Sequence, residues 1–258
     1  MGISVMPSYD FDHYNNIADR LKDWFSNSLP AGGLVKLDGT PGIGKNTLVD
    51  DYLTPRFQGG KQRIIHIDLD GFAQPKEIRR KLVKDVAKEG TTITDEFSRI
   101  YQVETANKFL SSVAQWVGSH GDIEEARSFI LPGQFIHGGS PTPPRSVLLR
   151  RGDWVVVDAE YVHLFDSLKE TMYPSVSLRL CSSNERVEQQ WMARTKAAYA
   201  NDPEYLAARL KYHQLATLPS VKKYEKETAH LVDLLIRIGE NTDFQELTTR
   251  KSLADKAC

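Results

Sequence analysis

The sequence is poor in the features that mark several classes of protein. Its 258 residues include two cysteines, Cys181 and Cys258, which lack metal-ligand spacing and are interpreted as a core thiol and a tail thiol. The 33 basic and 34 acidic residues leave a formal net charge of −1, without the basic excess typical of nucleic-acid-binding proteins. No internal repeat or low-complexity block occurs. These absences argue against nucleic acid as a partner.

Long apolar runs are also missing. No stretch approaches the roughly 18 uninterrupted apolar residues of a membrane span, and the first residues lack the basic-then-apolar order of a secretory signal. With 40% apolar and 26% charged residues, the composition is that of an ordinary soluble globular protein. We therefore predict a cytoplasmic protein without a membrane partner. Nothing in the sequence indicates an oligomeric state.

Short apolar runs rich in β-branched residues alternate with longer helical patterns, which is typical of an α/β fold with a parallel sheet. Strands are predicted at 33–37, 63–69, 154–158, 175–181 and 230–238, with a short strand or edge hairpin at 146–149. Helices are predicted at 12–28, 45–53, 75–88, 95–118, 162–171, 183–200 and 203–215. The Gly/Pro-rich segment 133–144 is either a substrate loop or a plain surface connection. The polar end, 240–258, is predicted to be a loosely attached helix or tail.

The most informative segment follows the first predicted strand and leads into a helix. It has the G-x-x-x-x-G-K spacing of a phosphate-binding P-loop. Glycines let successive N–H groups turn toward phosphate oxygens, and the helix start adds its positive dipole end. The lysine then reaches the β- and γ-phosphates. The predicted nucleotide-binding residues here are Gly39, Thr40, Pro41, Gly42, Ile43, Gly44, Lys45, Asn46 and Thr47.

Asn46 departs from the P-loop pattern, in which Ser or Thr follows the lysine and its hydroxyl ligates Mg²⁺. An Asn side-chain oxygen can ligate a hard cation, but it is carried on a longer side chain. Three interpretations stay open: a working variant, a weakened or inactive nucleotide binder, or a substitution introduced to trap the protein. Asn46 and Asp158 are the candidate metal ligands.

Carboxylates follow two of the predicted strands. Asp68 and Asp70 end the second strand, at the sheet edge where open α/β sheets bind ligands, and alternation places them on one side. One of them can accept the proton of an attacking hydroxyl while the other assists the metal. Asp158 ends the strand at 154–158 and can hold Mg²⁺. Two alternatives stay open: one of Asp68 and Asp70 caps the turn that follows the strand, and Asp158 only contacts solvent at a strand end.

Cationic residues offer further candidates for phosphate binding. Arg186 and Arg194 lie on the helix predicted at 183–200, and the planar guanidinium matches phosphate geometry. The alternative is a solvated helix face. His137 and Arg145, in or near the Gly/Pro-rich loop, are candidates for binding an anionic substrate, or simple surface charge.

The order GTPGIGKNTL, IDLDGF, DWVVVDAEYVHL and SVSLRLCSSNERVEQQWMAR resembles the P-loop kinases that include uridine kinase, pantothenate kinase and phosphoribulokinase. The resemblance spans residues from about 33 to 240. It implies ATP and Mg²⁺ as cofactors, and a P-loop NTPase-type three-layer α/β fold with a mostly parallel five-stranded sheet, a helical insertion and a lid. It further implies that Asp70 is the general base, that Asp158 replaces the family's glutamate, and that Arg194 clamps nucleotide phosphates from the lid. The implied substrate-binding positions are Asp68, Asp70, Phe72, Glu160 and Tyr161.

Together these features predict a single P-loop kinase-like domain over 1–240, with a substrate-facing insertion at 73–145, a lid at 183–229 and a polar tail at 241–258. The predicted activity is ATP-dependent phosphoryl transfer to a hydroxyl of a small metabolite of nucleoside, vitamin or sugar type. Lys45, Asp70 and Arg194 are the predicted catalytic residues. Two alternatives stay open: a nucleotide-binding regulatory protein whose catalysis Asn46 impairs, and a toxin-type kinase acting on a nucleotide sugar. A switch GTPase is disfavoured because no N-K-x-D sequence occurs.

Overall fold

The computed structural model describes residues 11–57, 62–119, 121–133, 142–169, 173–239 and 244–249. The strands are β1 (Gly33–Asp38), β2 (Ile64–Asp68), β3 (Ala126–Leu131), β4 (Arg145–Arg150), β5 (Trp154–Asp158), β6 (Ser175–Cys181), β7 (Leu234–Ile238) and β8 (Phe244–Thr249). The α-helices are α1 (Phe11–Ser28), α2 (Thr54–Arg56), α3 (Lys76–Glu89), α4 (Phe97–Ile100), α5 (Val103–Gly118), α6 (Asn184–Ala198), α7 (Pro203–Tyr212) and α8 (Leu218–Thr228). Two segments, Thr47–Leu53 and His213–Thr217, are π-helical.

The main sheet is six-stranded, in the order β2-β5-β1-β6-β7-β8. The first five strands run parallel, and β8 adds an antiparallel edge beside β7. This arrangement confirms the predicted mostly parallel α/β sheet. Because β1 is central, with β5 on one side and β6 on the other, the loop after β1 opens at the middle of the carboxyl edge. Open α/β sheets bind their ligands at that edge.

Helices cover both faces of the sheet, as the alternation along β5 shows. Trp154 and Val156 pack into the core beneath α1, together with Leu21 and Phe25, whereas Val155 and Val157 pack into the core on the opposite face, beneath α5. Successive strand side chains point to opposite faces, so an unbroken apolar strand requires cover on both. The result is the predicted three-layer arrangement.

Several predicted elements differ from the observed ones. The helix predicted at 95–118 is interrupted, because Tyr101 takes an extended conformation between α4 and α5. The helix predicted at 162–171 is instead two short 3₁₀ turns, Val162–Leu164 and Asp166–Leu168. The strand predicted at 230–238 begins only at Leu234, after a 3₁₀ turn.

Other elements were not predicted, among them β3, α8 and β8. The strand β3 pairs antiparallel with β4, so the run at 146–149 belongs to a separate two-stranded sheet. The helix α8 follows the second π-helical segment and leads toward β7. The edge strand β8 lies where a polar helix or tail was predicted, and that prediction is wrong for Phe244–Thr249. In the described ranges, no helix combines the length and apolarity needed to cross a bilayer.

A buried ion pair fixes the end of β1. Asp38 and Arg179, on β1 and β6, are 1% and 4% exposed, and Arg179 Nε donates to Asp38 Oδ2 over 2.6 Å. The same guanidinium donates to the hydroxyl of Thr228 and the carbonyl of Glu225, both on α8. Asp38 Oδ1 accepts the N–H of Gly39 at 2.8 Å. The pair therefore joins the start of the glycine-rich loop to α8.

Candidate active site

The glycine-rich loop after β1 adopts conformations that require glycine. Gly39 has φ +146°, and a Cβ there would lie 2.9 Å from the Leu180 carbonyl oxygen. Gly44 has φ +104°, and no atom lies within 4 Å of the position that a Cβ would occupy. The backbone conformation alone therefore requires glycine at this position. Helical structure begins immediately afterwards, and Leu48 donates its N–H to the carbonyl of Gly44. The segment thus has the strand, loop and helix arrangement of a phosphate site.

Lys45 lies inside this loop and is 9% exposed. Its Nζ donates to the Gly39 carbonyl oxygen at 2.8 Å and lies 3.8 Å from Asp158 Oδ1. The ammonium group is therefore held between the loop and the end of β5. This position allows it to contact an anion bound by the loop.

His66 links β2 to the neighbouring elements. Its Nδ1 lies 2.7 Å from Asp50 Oδ1, on the π-helical segment, and its Nε2 lies 3.5 Å from Asp158 Oδ2. Burial alone lowers the pKa of His66, but the two carboxylates outweigh burial and raise it to about 9. The charged imidazolium therefore lies beside Asp158. No sequence pattern pointed to His66.

Asp68 and Asp70 frame the turn after β2, a 3₁₀ helix over Leu69–Phe72. Asp68 Oδ1 accepts the N–H of Asp70 at 2.8 Å, so Asp68 caps this turn, the alternative considered above. Its other oxygen accepts a hydrogen bond from Asn46 Nδ2 at 3.0 Å. Burial, with the charge of Asp158, raises the pKa of Asp68.

Asp70 faces a cleft through which it contacts solvent, while protein encloses its other sides. Burial, followed by the charges of Asp68 and Asp158, raises the pKa of Asp70 to about 7. At neutral pH a substantial fraction of this group is therefore carboxylate with a raised affinity for a proton. Such a group is suited to general-base catalysis.

The cleft has a volume of about 470 Å³ and joins the glycine-rich loop to α3, α6 and α7. Charged side chains of both signs line it: Lys45, Asp68, Asp70, Lys76, Arg79, Arg80, Glu96, Asp158, Glu160, Arg194 and Arg209. The large aromatic residues that line it are Tyr101, Trp191, Tyr199, Tyr205 and Tyr212. One end thus holds the phosphate loop, and the rest can receive a second molecule.

Helix α6, which lies in the predicted lid, approaches the loop. Ser183 caps its start through a hydrogen bond from the Arg186 N–H. Arg194, which is exposed, lines the cleft, and its Nη1 lies 3.9 Å from where a Cβ would stand at Gly42. With its amide oriented to satisfy both neighbours, Gln190 donates to the Gly42 carbonyl at 3.0 Å and accepts from Arg186 at 3.3 Å.

Not every expected residue reaches the cleft. Arg186 is 9% exposed and donates to Ser182 Oγ at the start of α6, and it does not line the cleft. Phe72 is buried against Phe109 in the core. Arg145 donates from β4 to the His66 carbonyl, away from the cleft lining. His137 lies outside the described residues.

Tyr161 is also buried rather than available to a substrate. It is 1% exposed, packs edge-on against Tyr224, and donates its hydroxyl to Glu96 Oε2 at 2.9 Å. Its neighbour Glu160 lines the cleft, and Glu160 Oε1 is buried without a hydrogen-bond partner among the described residues. Burial, followed by the charge of Glu96, raises the pKa of Glu160 well above its usual range.

Most residues that line the cleft away from the phosphate loop were not predicted from the sequence. Glu96, Tyr101 and Arg79 come from the region without a motif, and Arg209 from α7. Glu96 is buried and accepts hydroxyl hydrogen bonds from Tyr161 and Thr217. No sequence signal distinguished these residues, because only the folded chain brings their elements together.

Oxygen donors suitable for a hard cation lie beside Lys45. Asp158 Oδ2 is buried and forms no hydrogen bond within the described part of the chain, although His66 Nε2 lies 3.5 Å away. Burial, with the like charge of Asp158, raises the pKa of Asp68. A cation bound beside these two carboxylates would favour the ionised form of both. Across the described ranges, no group of three or more His, Cys, Asp or Glu residues forms a metal site. The carboxylates of Asp158 and Asp68 fit Mg²⁺, which takes one or two carboxylates and completes its shell with phosphate and water.

No family model and no curated relative matches the chain. Solved structures do match its fold. The protein YGR205w has a TM-score of 0.56 at 13% identity, over 94% of this chain and 99% of that one. D-glycerate 3-kinase from Cryptococcus neoformans gives 0.53 at 10% identity, over 92% and 98%. A structure described as a possible uridine kinase from Bacillus stearothermophilus gives 0.53 at 14% identity, over 87% and 97%. The predicted resemblance to P-loop kinases is confirmed at the level of the fold.

Proposed function

We propose that this chain is an ATP-dependent kinase that transfers the γ-phosphoryl group to a hydroxyl of a small metabolite. The observation that supports this proposal most directly is that Lys45, in the phosphate loop, and Asp70, with a pKa of about 7, open onto one cleft. A nucleotide-binding protein without a second substrate has no need of such a base at that position.

In the proposed reaction, the loop N–H groups and Lys45 bind the nucleotide phosphates. Asp70 accepts the proton of the acceptor hydroxyl as its oxygen attacks the γ-phosphorus, and the bond from phosphorus to the ADP oxygen breaks. Arg194 contributes positive charge from the lid as charge develops on the transferring group. Catalysis then consists mainly of positioning and charge stabilisation, and closure of α6 excludes water from the cleft.

Asp158 and Asn46, with Asp68 beside them, would hold Mg²⁺. The bound ion would neutralise phosphate charge. For Asn46 to take part, its side-chain oxygen must face the ion. Its amide nitrogen instead donates to Asp68, which ties the side chain to a carboxylate at the site.

The decisive variant is Asp70→Asn, which removes the proton acceptor and keeps the shape. We expect turnover to fall by about 100-fold or more, with ATP affinity changed by less than about threefold because Asp70 does not belong to the phosphate loop. Product formation is measured with ATP, Mg²⁺ and a panel of nucleosides, vitamins, sugars and their acid derivatives. Asp166→Asn, an exposed acid paired with Lys169, is the matched control. Unchanged turnover in Asp70→Asn would exclude Asp70 as the base.

The hydrogen bond from Asn46 to Asp68 favours a second candidate, a nucleotide-binding protein with impaired catalysis. The variant Asn46→Thr restores a hydroxyl ligand and frees Asp68. For a kinase we expect a rise in apparent Mg²⁺ affinity of about threefold or more, measured by titrating Mg²⁺ at fixed ATP. Tight ATP binding without product across the panel, in both the unsubstituted chain and this variant, supports the second candidate.

A further inference from the structure

The first N–H group of the glycine-rich loop is held by a side chain of β1. Asp38, the last residue of that strand, accepts the N–H of Gly39 through Oδ1 at 2.8 Å. This N–H is therefore engaged inside the protein and is not available to a phosphate oxygen. Asp38 is 1% exposed, so water does not take the place of the carboxylate as the acceptor. The carboxylate thus sets the direction in which the chain leaves the sheet.

The carbonyl group of the same glycine is held by the lysine of the loop. Lys45 Nζ donates to the Gly39 carbonyl oxygen at 2.8 Å. Gly39 is thus bound on both sides, at its N–H by Asp38 and at its carbonyl by Lys45. Because glycine has more backbone freedom than any other residue, its orientation would vary without these bonds. The position of the ammonium group therefore depends on the orientation that Asp38 gives to Gly39.

Arg179 compensates the charge that Asp38 brings to the loop. Arg179, 4% exposed on β6, donates from Nε to Asp38 Oδ2 at 2.6 Å, which leaves Oδ1 to the loop. The guanidinium is anchored on α8, where it donates to Thr228 Oγ1 at 2.6 Å and to the Glu225 carbonyl at 3.2 Å. Without this partner, a buried negative charge beside the loop would repel nucleotide phosphates.

We infer that Asp38 is a positioning residue of the phosphate loop, which it orients through the Gly39 N–H while Arg179 compensates its charge. This inference rests on the proposed function in one respect, that the loop binds a nucleotide. In this role Asp38 contacts neither nucleotide nor acceptor, and it acts through Gly39 and Lys45. A loop held in this way has its binding conformation before the ligand arrives, which lowers the entropic cost of binding.

The test uses two double variants that remove both charges and differ in the acceptor offered to the Gly39 N–H. Asp38→Asn with Arg179→Gln keeps a side-chain oxygen, whereas Asp38→Leu with Arg179→Gln has a similar shape and no acceptor. Affinity for ADP with Mg²⁺ is measured by isothermal titration calorimetry, at a temperature where urea denaturation shows both variants to be folded. We expect the Asn variant to bind ADP within about threefold of the unsubstituted chain, and the Leu variant about tenfold more weakly or worse. Equal affinities in the two variants would overturn the inference.

A second buried pair, at the opposite edge of the sheet, provides the matched control. Asp153 is 0% exposed, is paired with Arg63 and accepts the backbone N–H of Arg150 at 2.8 Å. It precedes β5 and lies at the amino edge, away from the phosphate loop. Asp153→Leu with Arg63→Gln should therefore destabilise the fold but leave ADP affinity within about twofold. An equal loss of affinity in both Leu variants would contradict a positioning role.

The single variant Arg179→Gln tests the charge compensation. It leaves a buried carboxylate beside the loop without its partner, so ADP affinity should fall by about tenfold. Adding Asp38→Asn removes that charge and should recover most of the loss. A double variant that binds ADP no better than Arg179→Gln would contradict the role of Arg179.

Hydrogen exchange in the unsubstituted chain gives a test that does not depend on the folding of a variant. In the nucleotide-free protein, NMR should show the Gly39 amide exchanging about 100-fold or more slowly than in an unstructured chain. Addition of ADP with Mg²⁺ should change this rate little. Protection that appears only with the nucleotide would mean that the ligand orders this part of the loop, and it would overturn the inference.

Failure of this inference and failure of the proposed kinase function give different results. If ADP binds equally to both Asp38 double variants, the inference is wrong and the kinase proposal stands. If ADP binding depends on Asp38 but no acceptor in the panel is phosphorylated, the inference is supported and the kinase proposal is refuted. If the unsubstituted chain does not bind ADP, both are wrong.

Discussion

The charge state of Asp70 depends on its neighbours more than on the residue itself. Burial and two carboxylates favour its protonated form, whereas catalysis as proposed needs the ionised form. A more exposed aspartate would be fully ionised at neutral pH but would have a weaker affinity for the acceptor proton. The environment of Asp70 places its pKa near the pH at which a base is most effective.

This arrangement predicts a pH dependence. Because the pKa of Asp70 is about 7, the carboxylate fraction rises with pH, so kcat/KM should increase from pH 6 to a plateau above pH 8. At pH 6 it should be roughly tenfold below the plateau. The measurement is a set of initial rates at saturating ATP across buffers of constant ionic strength. The residual activity of Asp70→Asn, followed over the same range, should lack this step, and a flat profile for the unsubstituted chain would contradict the role of Asp70.

Single residues were predictable where spacing alone sets their position. Lys45 follows its glycines at a fixed distance, and Asp68 and Asp70 end a strand. Phe72 was not predictable, because the chain enters a 3₁₀ helix after β2, in which residues two apart point in different directions. Phe72 therefore turns into the core while Asp70 faces the cleft.

At the scale of elements, the pair between Asp38 and Arg179 couples two strands and a helix. Removing the arginine leaves a buried carboxylate uncompensated, so Arg179→Ala should lower the free energy of unfolding by about 3–5 kcal/mol. Arg150→Ala, which removes an exposed pair with Glu124, should cost about 0–1 kcal/mol. Urea denaturation of both variants provides the measurement. Similar losses in the two variants would mean that the buried pair contributes no more than a surface one.

Strands buried in the apolar core could be predicted from the sequence, whereas polar strands and edge strands could not. The buried strands β1, β5 and β6 stand out as β-branched runs. By contrast, β3 exposes most of its residues, and β8 lies at the sheet edge in a polar stretch, so neither gives a clear periodic signal. Helix α8 contains a proline in its first turn and is separated from α7 only by a π-helical segment. The boundary between the two helices therefore cannot be recognised from the sequence pattern.

For the whole molecule, ligand binding should increase the free energy of unfolding. A non-hydrolysable ATP analogue with Mg²⁺ at about 100 times its Kd adds about 2.7 kcal/mol to the folded state. For a chain of this size that corresponds to a rise in Tm of about 5–10 °C. Differential scanning calorimetry measures the shift. Adenosine, which lacks phosphates, and the variant Lys45→Ala should each give a much smaller one, and an equal shift with adenosine would place the binding energy outside the phosphate loop.

The convergence of distant segments explains why the sequence did not predict the end of the cleft away from the phosphate loop. Lys76, Glu96, Glu160 and Arg209 belong to separate elements, and none has a motif of its own. Only the packing of α3 against α7, beside the carboxyl edge of the sheet, brings them to one cleft.

The position of β1 in the sheet has a consequence for synthesis on the ribosome. Its partners β5 and β6 lie roughly 120 and 140 residues further along the chain. At about 5–20 residues per second, the apolar strand and the phosphate loop emerge many seconds before either neighbour exists. In the amino-terminal part of the chain, β1 therefore cannot pair with β5 or β6 until those strands have been synthesised. During this interval β1 is exposed to chaperones and to aggregation, and rare codons before β5 would lengthen it.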